Sequence, residues 1–137
     1  MIELSLIFLM LAAICNAIMD TSVHHYSTSI LNEYNPIWWD GSISWKNKYI
    51  DGDFTKGRIK WFKYFNKPVQ LTDAFHFFKM LMIIFICLSI ITFDKCSILV
   101  NCEYHLFTSL IVLSLYGLIW NVTFSFIYKI LRIEKTY

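Results

Sequence analysis

Charge is scarce in this chain. Only 16% of its 137 residues are Asp, Glu, Lys or Arg, and 57% are hydrophobic. An average soluble domain carries about 25% charged and about 45–50% apolar residues. A water-soluble fold of this length has too little interior to hide so much apolar surface, so the composition argues for a chain solvated by lipid. Glycine and proline are scarce too, with four and two copies, which argues against a low-complexity or disordered chain. There is no internal repeat, and the length suits one domain. Several catalytic signatures are also missing: a Gly-rich phosphate loop, a nucleophile elbow, a Cys-x-x-Cys pair, and a helix with two His flanking a Glu. Their absence removes the motif-based readings for phosphate-loop enzymes, α/β-hydrolases, thiol oxidoreductases and zinc proteases.

Three apolar runs are present instead: Ile2–Met19, Ala74–Phe93 and Leu106–Ile127. A helix needs roughly 20 residues to cross a hydrocarbon core about 30 Å thick. Lipid offers no partners for open backbone groups, so the runs are expected to be helices. The expected fold is all-α: a single membrane domain over 1–137, with spans at about 2–25, 72–93 and 105–129 and an interfacial loop over 27–70. In the second span the fully apolar part begins only at Met80, so Asp73, His76 and Lys79 are expected near the interface, where Lys snorkels. Ile2–Met19 also has the length of a signal peptide. It lacks a basic start, and acidic Glu3 stands there instead, which favours an uncleaved helix.

Basic residues give an expected orientation. Lys46, Lys48, Lys56, Arg58, Lys60, Lys63 and Lys67 lie between spans one and two, and Lys129, Arg132 and Lys135 follow span three. The loop between spans two and three holds only Lys95. The positive-inside rule then puts the N-terminus outside and the C-terminus in the cytoplasm. In the outer loop, Cys96 and Cys102 are close enough in sequence for a disulfide. Cys15 and Cys87 read as small apolar residues within spans.

Aromatics make up 18% of the chain and crowd the long loop. Within it, Thr55–Lys67 reads as an amphipathic interfacial helix: Lys56, Lys60, Lys63 and Lys67 on one stripe, Trp61, Phe62 and Phe65 on the other. That pattern suits anionic lipid headgroups better than nucleic acid, because spans flank it on both sides. Upstream, residues 35–49 collect side chains suited to binding, among them Asp40, Trp45, Asn47 and Lys48. The combination of Trp39-Asp40, Ser44-Trp45-Lys46-Asn47-Lys48-Tyr49 and Thr72-Asp73-Ala74-Phe75-His76 with Lys79 resembles a group of small uncharacterised bacterial integral membrane proteins. The resemblance covers residues 36–79. It implies that these positions act together and carries no activity with it.

Ionisable groups at membrane depth are functional candidates by default. Asn16, Asp20 and His24 fall on one helix face at i, i+4 and i+8, with His25 alongside. Asp73, His76 and Lys79 follow at i, i+3 and i+6 in span two. Topology puts the two sets at one depth, so Asp20, His24, Asp73 and His76 are expected to converge. Such a site would bind zinc or another first-row metal, with His25 as a further ligand, or move protons. Asp40, Asn47, Lys48 and Lys79 are expected to complete it. The functional expectation is a membrane-embedded, metal-dependent enzyme acting on a lipid or headgroup. The alternative is a non-catalytic subunit or scaffold whose loop docks the lipid surface, a second copy or a larger membrane partner.

Overall fold

The computed structural model of the protein describes residues 2–93 and 105–132. The expected Cys96–Cys102 pairing lies outside these residues. Helix α1 covers Ile2–His24, and three long helices carry the architecture together with α4 (Ala74–Thr92) and α5 (His105–Leu131). All three are long and apolar enough to cross a membrane, which makes the chain an integral, multi-pass membrane protein. The observed helix ends fall close to the span limits read from hydropathy.

Helix α1 stands in the middle and makes the main packing contacts with both α4 and α5. Its composition explains why. Ser5, Ala12, Ala13, Ala17, Thr21 and Ser22 are buried almost completely. Small side chains let helix backbones approach closely, which is how helices associate when lipid is as apolar as leucine. Large side chains such as Ile83, Ile84, Ile90, Leu113 and Leu118 point outward instead, toward the space lipid would fill.

A polar clasp joins all three helices at the end away from the long loop. Ser5 Oγ donates to the Ser89 carbonyl at 2.7 Å, and Ser89 Oγ donates back to the Ser5 carbonyl at 2.9 Å. Tyr116 of α5 donates its hydroxyl to Ser5 Oγ at 3.0 Å. The Tyr116 ring also meets Phe93 edge-on at 5.6 Å. Each hydroxyl is satisfied, as a polar group removed from water requires.

The long loop is a chain of short turns. Its only other α-helical pieces are single turns, α2 (Pro36–Trp39) and α3 (Gly41–Ser44). Side chains cap the turns locally: Asn35 Oδ1 accepts from Ile37 N, Asp40 Oδ1 from Ser42 N, and Asp53 Oδ1 from Thr55 N. These are the self-bonding turns that Asn and Asp favour. The Thr55 hydroxyl also donates to Asp53, and the two bonds hold the Asp53 carboxyl below its usual range. Trp38 and Trp39 lie against Phe77 and Phe78, so the loop wraps the base of α4.

One sequence expectation is corrected here. Thr55–Lys67 is not an interfacial helix. A 3-10 turn ends at Lys56, Gly57 adopts a φ of +80°, and a hairpin follows, with β1 (Lys60–Phe62) antiparallel to β2 (Phe65–Asn66). A left-handed glycine stops a helix, and the run Ile59, Trp61, Phe62, Tyr64, Phe65 is rich in types that prefer strands. At the start of α4 the N-cap is Asp73, in extended conformation.

Candidate functional site

The start of α4 holds a buried carboxylate with several hydrogen-bond partners. Asp73 is 1% exposed. Its Oδ1 accepts the His76 backbone N–H at 2.9 Å, which caps the helix. The same carboxylate reaches His76 Nδ1, with both oxygens at 2.8 Å. Thr72 Oγ1 stands 3.0 Å from Oδ2. A buried carboxylate persists only when hydrogen-bonded in this way. The spacing i, i+3 lets one side chain serve both the backbone and the ring.

A carboxylate can only accept, so the proton between the two groups belongs to Nδ1. That sets the tautomer and leaves the lone pair of a neutral His76 on Nε2. The ring meets Phe75 edge-on at 5.3 Å. It lines a cavity of about 220 Å³ together with Val23, Gly41, Ser44, Trp45, Asp73 and Phe75. Three stretches therefore build the cavity: the end of α1, the turn α3 and the first turn of α4.

The loop is fixed over this cavity by side chains the sequence singled out. The Asn47 amide donates to the Ile37 carbonyl and, at 3.1 Å, to the Thr72 carbonyl. It thus ties two loop segments to the residue before the cap. Asp40 caps α3 through Ser42 and does not line the cavity. Trp45 donates its indole N–H to the Ser42 carbonyl at 3.0 Å. Lys46 and Lys48 both place their ammonium groups near the Trp45 ring, at 5.8 and 6.0 Å. Lys79 is exposed, over the Phe75 ring at 5.8 Å, and does not line the cavity.

The four-residue convergence expected from the sequence is not formed. Asp20 and His24 make their own pair at 3.8 Å, exposed on both sides. They line a separate cavity of about 100 Å³ with Asn16, Met19, Val23 and Phe75. Val23 and Phe75 border both cavities. Asp20 also interacts with the Tyr128 hydroxyl of α5, and His25 meets the Tyr128 ring edge-on at 5.5 Å. Among the described residues no three His, Cys, Asp or Glu side chains group to hold a metal ion. Asp20 is drawn instead toward α5, where it meets the Tyr128 hydroxyl, while Asp73 is held at the N-terminus of α4.

Gly41, Ser44 and Tyr128 were not among the candidate site residues expected from the sequence. Ser44 sits beside Trp45 and is 2% exposed. Only its place in the resembling Ser44–Tyr49 stretch could have drawn notice. No family model, no curated protein and no solved structure matches this chain.

Proposed function

We propose that this protein is a membrane-embedded enzyme in which His76, held by Asp73, transfers a proton to or from a lipid headgroup or similar polar molecule in the cavity beside Trp45. One observation carries the reading: a buried carboxylate grips Nδ1 of a histidine whose ring lines a cavity at the loop end of the spans. Such an arrangement orients the ring and steadies the imidazolium formed when Nε2 takes a proton. The volume lies below the roughly 300–1,000 Å³ of sites for drug-sized ligands, which suits a headgroup fragment rather than a whole lipid. Lys46 and Lys48, gathered at Trp45, favour an anionic one. Proton transfer is preferred to metal binding because the described residues offer His76 no third ligand.

The test is turnover of headgroup-labelled phospholipids by the reconstituted protein. General acid–base catalysis contributes about 10²–10⁴ in rate, so His76→Asn should lose at least about 100-fold, while His24→Asn should change little. A parent protein inactive on every headgroup class, or a His76→Asn variant at full rate, would sink the reading.

The orientation belongs to the same proposal: the long loop, and with it the cavity, faces the cytoplasm. The support is the excess of Lys and Arg in that loop and after α5. Reporter fusions after Tyr137 and within residues 96–102 should signal from the cytoplasmic and the external side, respectively. A cytoplasmic signal from the second fusion would reverse it.

A further inference from the structure

The hairpin over residues 60–66 packs little of its surface against the rest of the molecule. Trp61, Phe62, Tyr64 and Phe65 are 55%, 63%, 77% and 69% exposed. A regular strand would send Trp61 and Phe62 to opposite faces. Here the register shifts between Lys60 and Phe62, as in a bulge, which re-aims a side chain. The Trp61 and Phe62 rings stack, with centroids 5.6 Å apart and planes inclined by 19°. Phe62 is also paired across the hairpin with Phe65, and paired residues share a face. The bulge thus gathers three rings that strict alternation would have divided.

The surrounding charge has one sign. No Asp or Glu occurs from residue 54 to residue 72. Lys56 is paired with Asp51 at 2.8 Å, whereas Arg58, Lys60, Lys63 and Lys67 form no ion pair among the described residues. Lys63 lies over the Tyr64 ring at 5.2 Å. Both ends of the loop are tethered to membrane-spanning helices, at His24 and Ala74.

We propose that this hairpin is an anchor for an anionic leaflet, its aromatic tip inserted at the headgroup level and its lysines against lipid phosphates. Aromatic rings with a polar edge prefer that depth, and each lysine near an anionic surface adds attraction. The anchor is joined to the candidate site. Ile59 N donates to the Lys48 carbonyl at 3.0 Å and Ile50 N to the Gly57 carbonyl at 3.1 Å. Insertion of the tip would therefore steady the Trp45–Tyr49 stretch beside the cavity. The anchor itself does not depend on the proposed chemistry.

The experiment places a fluorescent amino acid at Tyr64 in the full chain. The chain is reconstituted into phosphatidylcholine bilayers with and without phosphatidylglycerol. Quenching by brominated acyl chains is compared with quenching by aqueous iodide. In the anionic bilayer, lipid quenching should dominate. Removing charge through Lys60→Gln, Lys63→Gln and Lys67→Gln should lower the inserted-to-free ratio roughly fivefold per lysine. Helix content by circular dichroism, unchanged in the variants, shows that the fold persists. Full iodide access in both bilayers overturns the anchor, as does a tip that buries only when another protein is added.

Discussion

Replacing Asp73 by Ala is expected to cost about 3 kcal/mol of stability, the sum of a lost helix cap at about 1 kcal/mol and a lost charged hydrogen bond to a partly buried ring at about 2 kcal/mol. The two roles can be separated. In Asp73→Asn the side-chain oxygen still accepts the His76 N–H, so the cap survives and the loss should fall to about 1–2 kcal/mol. The amide has no charge with which to steady an imidazolium. Turnover should therefore fall in the Asn variant by far more than its stability does. Equilibrium denaturation in mixed micelles, run beside the headgroup assay, measures both. An Asn variant that keeps full activity would leave Asp73 as a cap alone.

Gly41→Val should be the most damaging single change in the loop. A Cβ at this position would stand 3.0 Å from Val23 Cα, 3.0 Å from Val23 Cγ2 and 3.1 Å from the Ser22 carbonyl oxygen. Two of these neighbours are backbone atoms of α1 and cannot turn aside. Overpacking of this kind typically costs about 1–3 kcal/mol; for valine we expect about 2–3 kcal/mol, with Gly41→Ala near the lower end. The strain should be relieved by lifting α3 off α1, which opens one wall of the cavity. Hydrogen exchange at residues 41–48 should then quicken while exchange within α4 does not. A Val variant with parental stability and parental exchange would show that the loop is not seated on α1 as described.

The membrane helices were legible because their cause is compositional. Lipid demands apolar runs of a certain length, and nothing in tertiary packing overrides that demand. The Asp73–His76 contact was legible from spacing as well, because an N-cap carboxylate reaches the third residue of the helix it starts. The relation between Asp20 and Asp73 depended on which neighbour each found, the Tyr128 hydroxyl of α5 for Asp20 and the first turn of α4 for Asp73, and spacing within one helix does not encode that. The hairpin misled the periodicity argument because its lysines and rings repeat at intervals that also fit a helix. Gly57, with its left-handed backbone, and Pro68 mark the segment's ends. Strand preference across Ile59, Trp61, Phe62 and Phe65 was the local signal that competed and prevailed. The Ser5–Ser89–Tyr116 clasp left no local trace, since each residue is unremarkable in its own segment.

That clasp also dictates an order of events during synthesis. Ser5 and Tyr116 are 111 residues apart, and ribosomes add about 5–20 residues per second. The first helix ends at His24, so roughly 5–18 s pass between its last residue and the synthesis of Tyr116. Until α4 and then α5 follow, its buried polar face, with Ser5, Thr21 and Ser22, has no partner helix. Thr21 and Ser22 manage alone, because each donates its hydroxyl to a carbonyl one turn back in α1, Ala17 and Met19 respectively. Ser5 instead donates to the Ser89 carbonyl of α4, a partner that is made later. The nascent first span is therefore self-sufficient at one end and dependent on later arrivals at the other. Closure of the three-helix unit must therefore wait for α5.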